Sequence, residues 1–141
     1  AGQASRANEI VRSPESAQAF RAEFEAMVEW LAPFVSIVVW VAFNEGWGQS
    51  DTAGVTEWLR AKDPSRLINS ASGWNEVVVT GASSGDFADI HNYEGNPWGD
   101  LQDTFKHWPF DAQGRAKVLG EYGGLALVVE GHTWAPTSSW G

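Results

Sequence analysis

Cysteine is absent from the 141 residues, so the chain can form no disulfide and no thiolate metal site, and it carries no mark of a redox compartment. Basic residues are scarce. Nine Lys and Arg stand against 18 Asp and Glu, for a net charge of −9. Such a balance repels phosphate backbones and anionic lipid surfaces, which argues against nucleic acid and membrane partners. No apolar run approaches the ~18 residues of a membrane-spanning helix. Asn-x-Ser/Thr acceptors are missing, and no Gly-rich phosphate loop or dinucleotide fingerprint follows any strand-like segment, so a nucleotide fold has no support. The three histidines, His91, His107 and His132, share no metal-ligand spacing, and no structural zinc or other cofactor is expected.

Nine tryptophans are what the chain has in excess. Indole is large, flat and amphipathic, and suits both core packing and the faces of sugar rings. The length predicts one domain over 1–141, with a polar lead-in at 1–13 and a loop-rich tail at 122–141. A start at Ala1-Gly2-Gln3, without Met, is expected of a processed chain or of a piece of something longer.

Ser13-Pro14 reads as a helix start, with proline at the first helical position and Glu15 in the first turn. Phe20, Phe24, Met27, Val28 and Leu31 then form one apolar stripe, which predicts a helix over about 14–32, stopped by Pro33. Residues 36–43 are apolar on both alternations and β-branched, as expected of a parallel strand buried on both faces. Asp51 is placed to cap a second helix over about 52–62, with Val55, Trp58 and Leu59 inward, and Asp63-Pro64-Ser65 makes a turn. Short strands are predicted at 67–70, 87–91 and 117–120, a Gly/Ser-rich loop at 71–87 and a short helix at 101–108. Asp51, Glu57 and Asp63 read as caps and solvated faces. The order of elements is that of an α/β fold with parallel strands and flanking helices.

Two of these strands end in a glutamate. Ile37-Val38-Val39-Trp40-Val41-Ala42 runs into Phe43-Asn44-Glu45-Gly46-Trp47, and Lys117-Val118-Leu119-Gly120 runs into Glu121-Tyr122-Gly123-Gly124. Paired carboxylates at strand tips, facing one pocket, are what glycosidic bond hydrolysis needs. In a (β/α)8 barrel, catalytic groups sit at the C-terminal ends of strands, where Glu45, His91 and Glu121 all fall.

At this point the residues resemble a known family. Residues 36–49, through Phe43-Asn44-Glu45-Gly46-Trp47-Gly48-Gln49, are similar to the acid/base strand of glycoside hydrolase family 2, the β-galactosidase/β-glucuronidase family. Residues 63–74 look like the strand that follows, Asp89-Ile90-His91-Asn92-Tyr93 resembles the sixth strand, and Gly120-Glu121-Tyr122-Gly123-Gly124 resembles the nucleophile strand. The four segments occur in family order. Phe34-Val35 stands where the family usually has His-Pro, at the start of the strand and away from the chemistry. The larger departure is length. A full barrel takes about 250 residues, so the resemblance implies a partial TIM (β/α)8 barrel, holding about strands four to seven.

The resemblance implies a retaining β-glycosidase. Glu45 would be the general acid/base and Glu121 the nucleophile, with their carboxyls about 5–5.5 Å apart. Asn44 would hydrogen-bond the sugar 2-hydroxyl, since an amide both donates and accepts. Tyr93 would supply a hydroxyl near the nucleophile, and His91 a sugar contact. Asn69, Trp74 and Trp47 are the remaining candidates for lining the substrate pocket, with Trp74 able to stack on a sugar face. The alternative is a catalytically inactive half-barrel that at most binds carbohydrate weakly. A Trp-rich carbohydrate-binding module fits less well, because such modules are usually all-β and this chain predicts two helices. Four strands of eight would leave two open edges and an uncovered apolar interior, to be covered by another copy of the chain or by the missing barrel segments.

Overall fold

The computed structural model describes residues 9–45, 48–73, 85–93, 106, 112, 114–124 and 128–132. Among them the order is α1 (Pro14–Leu31), β1 (Val39–Val41), α2 (Thr52–Lys62), β2 (Leu67–Asn69), β3 (Phe87–Asn92) and β4 (Ala116–Tyr122). The expected helix at 101–108 apart from Lys106, most of the loop at 71–87 and most of the tail at 122–141 lie outside the described residues.

β1 pairs parallel with β2, and β3 pairs parallel with β4. Asp86, just before β3, joins the two pairs: its backbone N–H donates to Ile68 O at 2.7 Å and its carboxylate accepts from Ile68 N at 2.7 Å. The strands thus form two parallel pairs, β1–β2 and β3–β4, with β2 and the start of β3 tied through Asp86. α2 supplies the crossover from β1 to β2.

Both helices form as their periodicity dictates. Ser13 caps α1 by accepting from Ser16 N at 3.2 Å, with Pro14 at the first position. Phe24 and Val28 bury against Trp40, Phe43, Val55, Leu59 and Ile68, and Phe20, Leu31 and Trp58 pack on that cluster. Met27, on the edge of the stripe, is exposed. This core lies between the helices and the outer face of β1 and β2.

Three expectations are corrected. Asp51 sits at the N-cap of α2 but in the left-handed region (φ 50°), and its side chain makes no capping bond. Glu9 satisfies the helix end instead, accepting from Thr52 N at 2.7 Å. Asp63 is buried, at 7% exposure, rather than solvated. It accepts from Trp40 Nε1 at 2.8 Å and from Arg66 at 2.6 Å. Finally, residues 36–43 are not buried on both faces. Only Val39–Val41 form the ladder, Val38 is 64% exposed and Val41 46%. Trp40 faces the helices, whereas Val39 and Val41 line an open cleft on the other side of the sheet.

Candidate active site

That cleft, of about 650 Å³, runs along the inner face of the strands to their C-terminal tips. Alternation along β3 puts Phe87, Asp89 and His91 on it, and Asn44, Asn69 and Glu121 arrive from the neighbouring tips.

The tip of β1 is held by the loop after β2. Asn44 bridges Ser72 in parallel, and Ser72 N donates to Phe43 O at 2.8 Å. The Ser72 hydroxyl donates to Asn44 Oδ1 at 2.9 Å and accepts from Glu45 N at 3.3 Å. Glu45 itself has φ 50°, in the left-handed region. A non-glycine residue there is strained by about 1–3 kcal/mol, and such strain collects at functional sites. Here it swings the Glu45 carboxylate back over the strand tips toward β3.

His91 meets it there. Its side chain is 1% exposed, with Nδ1 at 2.9 Å from Glu45 Oε1 and Nε2 at 3.5 Å from Glu121 Oε1. Gly73, at φ +78°, packs on the imidazole so closely that a β-carbon would stand 3.0 Å from Nδ1. Tyr93 closes the same space. Its hydroxyl donates to Glu121 Oε2 and lies 3.5 Å from Glu45 Oε1. Burial, then the hydrogen bond and negative charge of Glu121, then the charge of Glu45, hold the phenol's pKa above its usual value, so Tyr93 stays a donor.

Below them lies Asp89, at 4% exposure, which accepts from Asn69 Nδ2 at 2.7 Å and from Gly120 N at 2.8 Å. Burial raises its pKa, against the opposing pull of the Asn69 bond and the His91 charge. Asn69 Oδ1 is buried and accepts no hydrogen bond from the described residues, which leaves an acceptor at the cleft wall.

The structure thus brings Asn44, Asn69, His91 and Glu121 to one cleft, with Glu45 and Tyr93 in contact with His91 and Glu121 at its rim. One ligating atom from each of Glu45, His91 and Glu121 lies within 4.8 Å of the others. Three such donors could hold a divalent cation, although a buried imidazole between two carboxylates is equally served by the hydrogen bonds just described. Trp47 and Trp74 lie outside the described residues. Two participants were not foreseen. Asp89 could have been found from its place two residues before His91, on the same strand face. Ser72 carries no such signal, because its role depends on a pairing between loops.

The model for the TIM barrel domain of the glycosyl hydrolases family 2 matches residues 2–138, nearly the whole chain. No curated protein matches it.

Proposed function

Because the chain belongs to the family of glycosyl hydrolases family 2 TIM barrel domains, as a 141-residue part of such a barrel, we propose that it carries the two-carboxylate site of a retaining β-glycosidase. The observation that carries the reading is the meeting of Glu45 and Glu121 across His91 and Tyr93, with carboxylate oxygens within 4.8 Å of each other. That spacing leaves no room for a water between the acids, as inversion would require, and fits attack by one of them.

Each group then has a task. Glu45 gives its proton to the leaving glycosidic oxygen while Glu121 attacks the anomeric carbon. The aglycone departs and a glycosyl ester on Glu121 remains. Glu45, now ionised, takes a proton from a water that attacks the same carbon and releases Glu121. Two displacements restore the original configuration. The Tyr93 hydroxyl keeps the Glu121 carboxylate charged and aimed until attack. Asn44 spends its carbonyl oxygen on Ser72, which leaves its amide N–H groups to donate to a sugar hydroxyl. Asn69 Oδ1 supplies the complementary acceptor.

The test is hydrolysis of a panel of aryl β-glycosides by the wild type, Glu45→Gln and Glu121→Ala. Loss of turnover in both variants supports the reading, with Glu45→Gln least affected on substrates whose leaving group needs no proton. Unchanged turnover in either one removes the assignment. A second reading is an inactive half-barrel that binds carbohydrate. It is favoured by the exposure of Val35 (90%), Val38 (64%) and Leu67 (49%) along the β1–β2 side. Sugar binding by a wild type that turns over none of the panel would select it.

A further inference from the structure

We propose that Asp89 is a positioning residue of this site: by accepting the Gly120 amide in a β-bulge it turns Glu121 into the cleft, and through Asn69 and His91 it fixes the floor beneath both glutamates. The catalytic consequence rests on the retaining-glycosidase reading, whereas the structural device stands without it.

The register between β3 and β4 carries the inference. Ile90 pairs with Leu119, but the next residue, His91, pairs with Glu121, so Gly120 has no partner on β3. Side chains alternate along a strand, and in an unbroken ladder of this sequence Glu121 would share the face of Leu119. Leu119 is buried and does not line the cleft, whereas Val118 does. One inserted residue resets the alternation, and Glu121 joins Val118 and Gly120 on the cleft wall.

A bulge takes an N–H out of the ladder and leaves it to find another acceptor. Asp89 is that acceptor: its Oδ1 receives Gly120 N at 2.8 Å. The other oxygen receives Asn69 Nδ2 at 2.7 Å and lies 3.8 Å from His91 Nε2. One carboxylate therefore ties β2, β3 and β4 together directly below the reacting groups. Residue 120 must be glycine for this approach, since a β-carbon there would stand 2.7 Å from the Asp89 carboxyl carbon. Asp89 is 4% exposed, and both of its carboxylate oxygens are already engaged by Asn69 and Gly120, so it acts through what it holds.

The experiment compares Asp89→Asn, Asn69→Asp and the reciprocal double variant. In Asp89→Asn one amide faces another, donor against donor, and kcat on an aryl β-glycoside falls by on the order of 100-fold, the effect of a misplacement of about 1 Å, while KM changes little. The double variant restores a donor–acceptor pair with the amide and acid exchanged, and recovers at least about tenfold of the loss. Deuterium exchange at the Gly120 amide gives an activity-independent readout: slow in the wild type and the double variant, and faster in Asp89→Ala by a factor exceeding that of neighbouring β4 amides. Should the wild type turn over no glycoside, the glycosidase reading falls while exchange at Gly120 and the nuclear Overhauser contact between Glu121 and Tyr93 still decide the role of Asp89. Wild-type kcat in Asp89→Asn, no recovery in the double variant, or Gly120 exchange indifferent to residue 89 overturns the proposal.

Discussion

Replacing Asp63 with alanine should destabilise the fold more than any other change at its turn. The carboxylate accepts from the indole of Trp40 at 2.8 Å, from Arg66 at 2.6 Å, and from the backbone and hydroxyl of Ser65 at 3.1 and 2.5 Å. The Asp63–Arg66 pair is largely shielded from water, with side chains 9% and 11% exposed. Removing one partner of a buried pair costs about 3–5 kcal/mol, because the other charge is left without compensation. The Trp40 N–H, also buried, loses its acceptor at a cost of about 1–3 kcal/mol, part of which overlaps with the first figure. Arg66 limits the damage, since it also donates to Ala32 O at 2.6 Å and Ile37 O at 2.8 Å, which bind the α1–β1 connection. About 4 kcal/mol is therefore expected, against roughly 7–20 kcal/mol for a whole domain of this size. Urea unfolding followed by tryptophan fluorescence measures it; with a slope of about 2 kcal/mol/M the midpoint falls by about 2 M. The pH dependence supplies a second check. The Ser65 hydroxyl bond, with Trp40 and Arg66, holds the Asp63 carboxyl well below the usual carboxylate range. A depressed folded-state pKa gives stability that is present above the ordinary value, about 4, and is lost as pH falls below it. The difference between wild type and Asp63→Asn should then be full at pH 7 and shrink steadily below pH 4. A midpoint shift under about 0.5 M, or a difference that does not change with acid, would refute the reasoning.

Three further outcomes are expected. Leu59, fully buried between α1 and the sheet, should cost about 2–5 kcal/mol on truncation to alanine, read by thermal or urea unfolding. Tyr93, whose phenol is held above its ordinary pKa by burial and by Glu121, should stay protonated as pH passes about 10; ultraviolet titration of the wild type against Tyr93→Phe checks this, and a phenolate forming at 93 below pH 10 contradicts it. The same variant, losing a charge-assisted bond of about 1.5–3 kcal/mol to Glu121, should lower kcat by roughly 10–100-fold without abolishing it.

Local pattern explains which features could be read in advance. The stripe from Phe20 to Leu31 and the Ser13-Pro14 start settle α1 within the chain's own neighbourhood, and the structure starts and stops that helix within a residue of the expectation. The parallel strands at Leu67–Asn69, Phe87–Asn92 and Ala116–Tyr122 were legible for the same reason. What failed depended on residues distant in sequence. Asp63 looks like a turn residue at the surface until Trp40, 23 positions earlier, brings its indole to it. Asp51 occupies the cap position with a left-handed backbone, yet its side chain makes no capping bond and Glu9 bonds to the helix end. β1 carries the composition of a doubly buried strand, but Val41 looks onto an open cleft. At the site, position after a strand set Glu45, His91 and Glu121 near one another, and the family resemblance added Tyr93; the four are in mutual contact. The bulge that turns Glu121 inward was not legible, since nothing in Leu119-Gly120-Glu121 announces that the ladder skips a residue.

The most direct measurement is covalent trapping. An activated 2-deoxy-2-fluoro-β-glycoside reacts with a retaining enzyme to leave a slowly hydrolysed ester on the nucleophile. Peptide mass mapping should find that sugar on Glu121, on the fragment of β4, with no label in Glu121→Ala. A sugar bound to any other carboxylate, or to none while the substrate panel is still hydrolysed, contradicts the account.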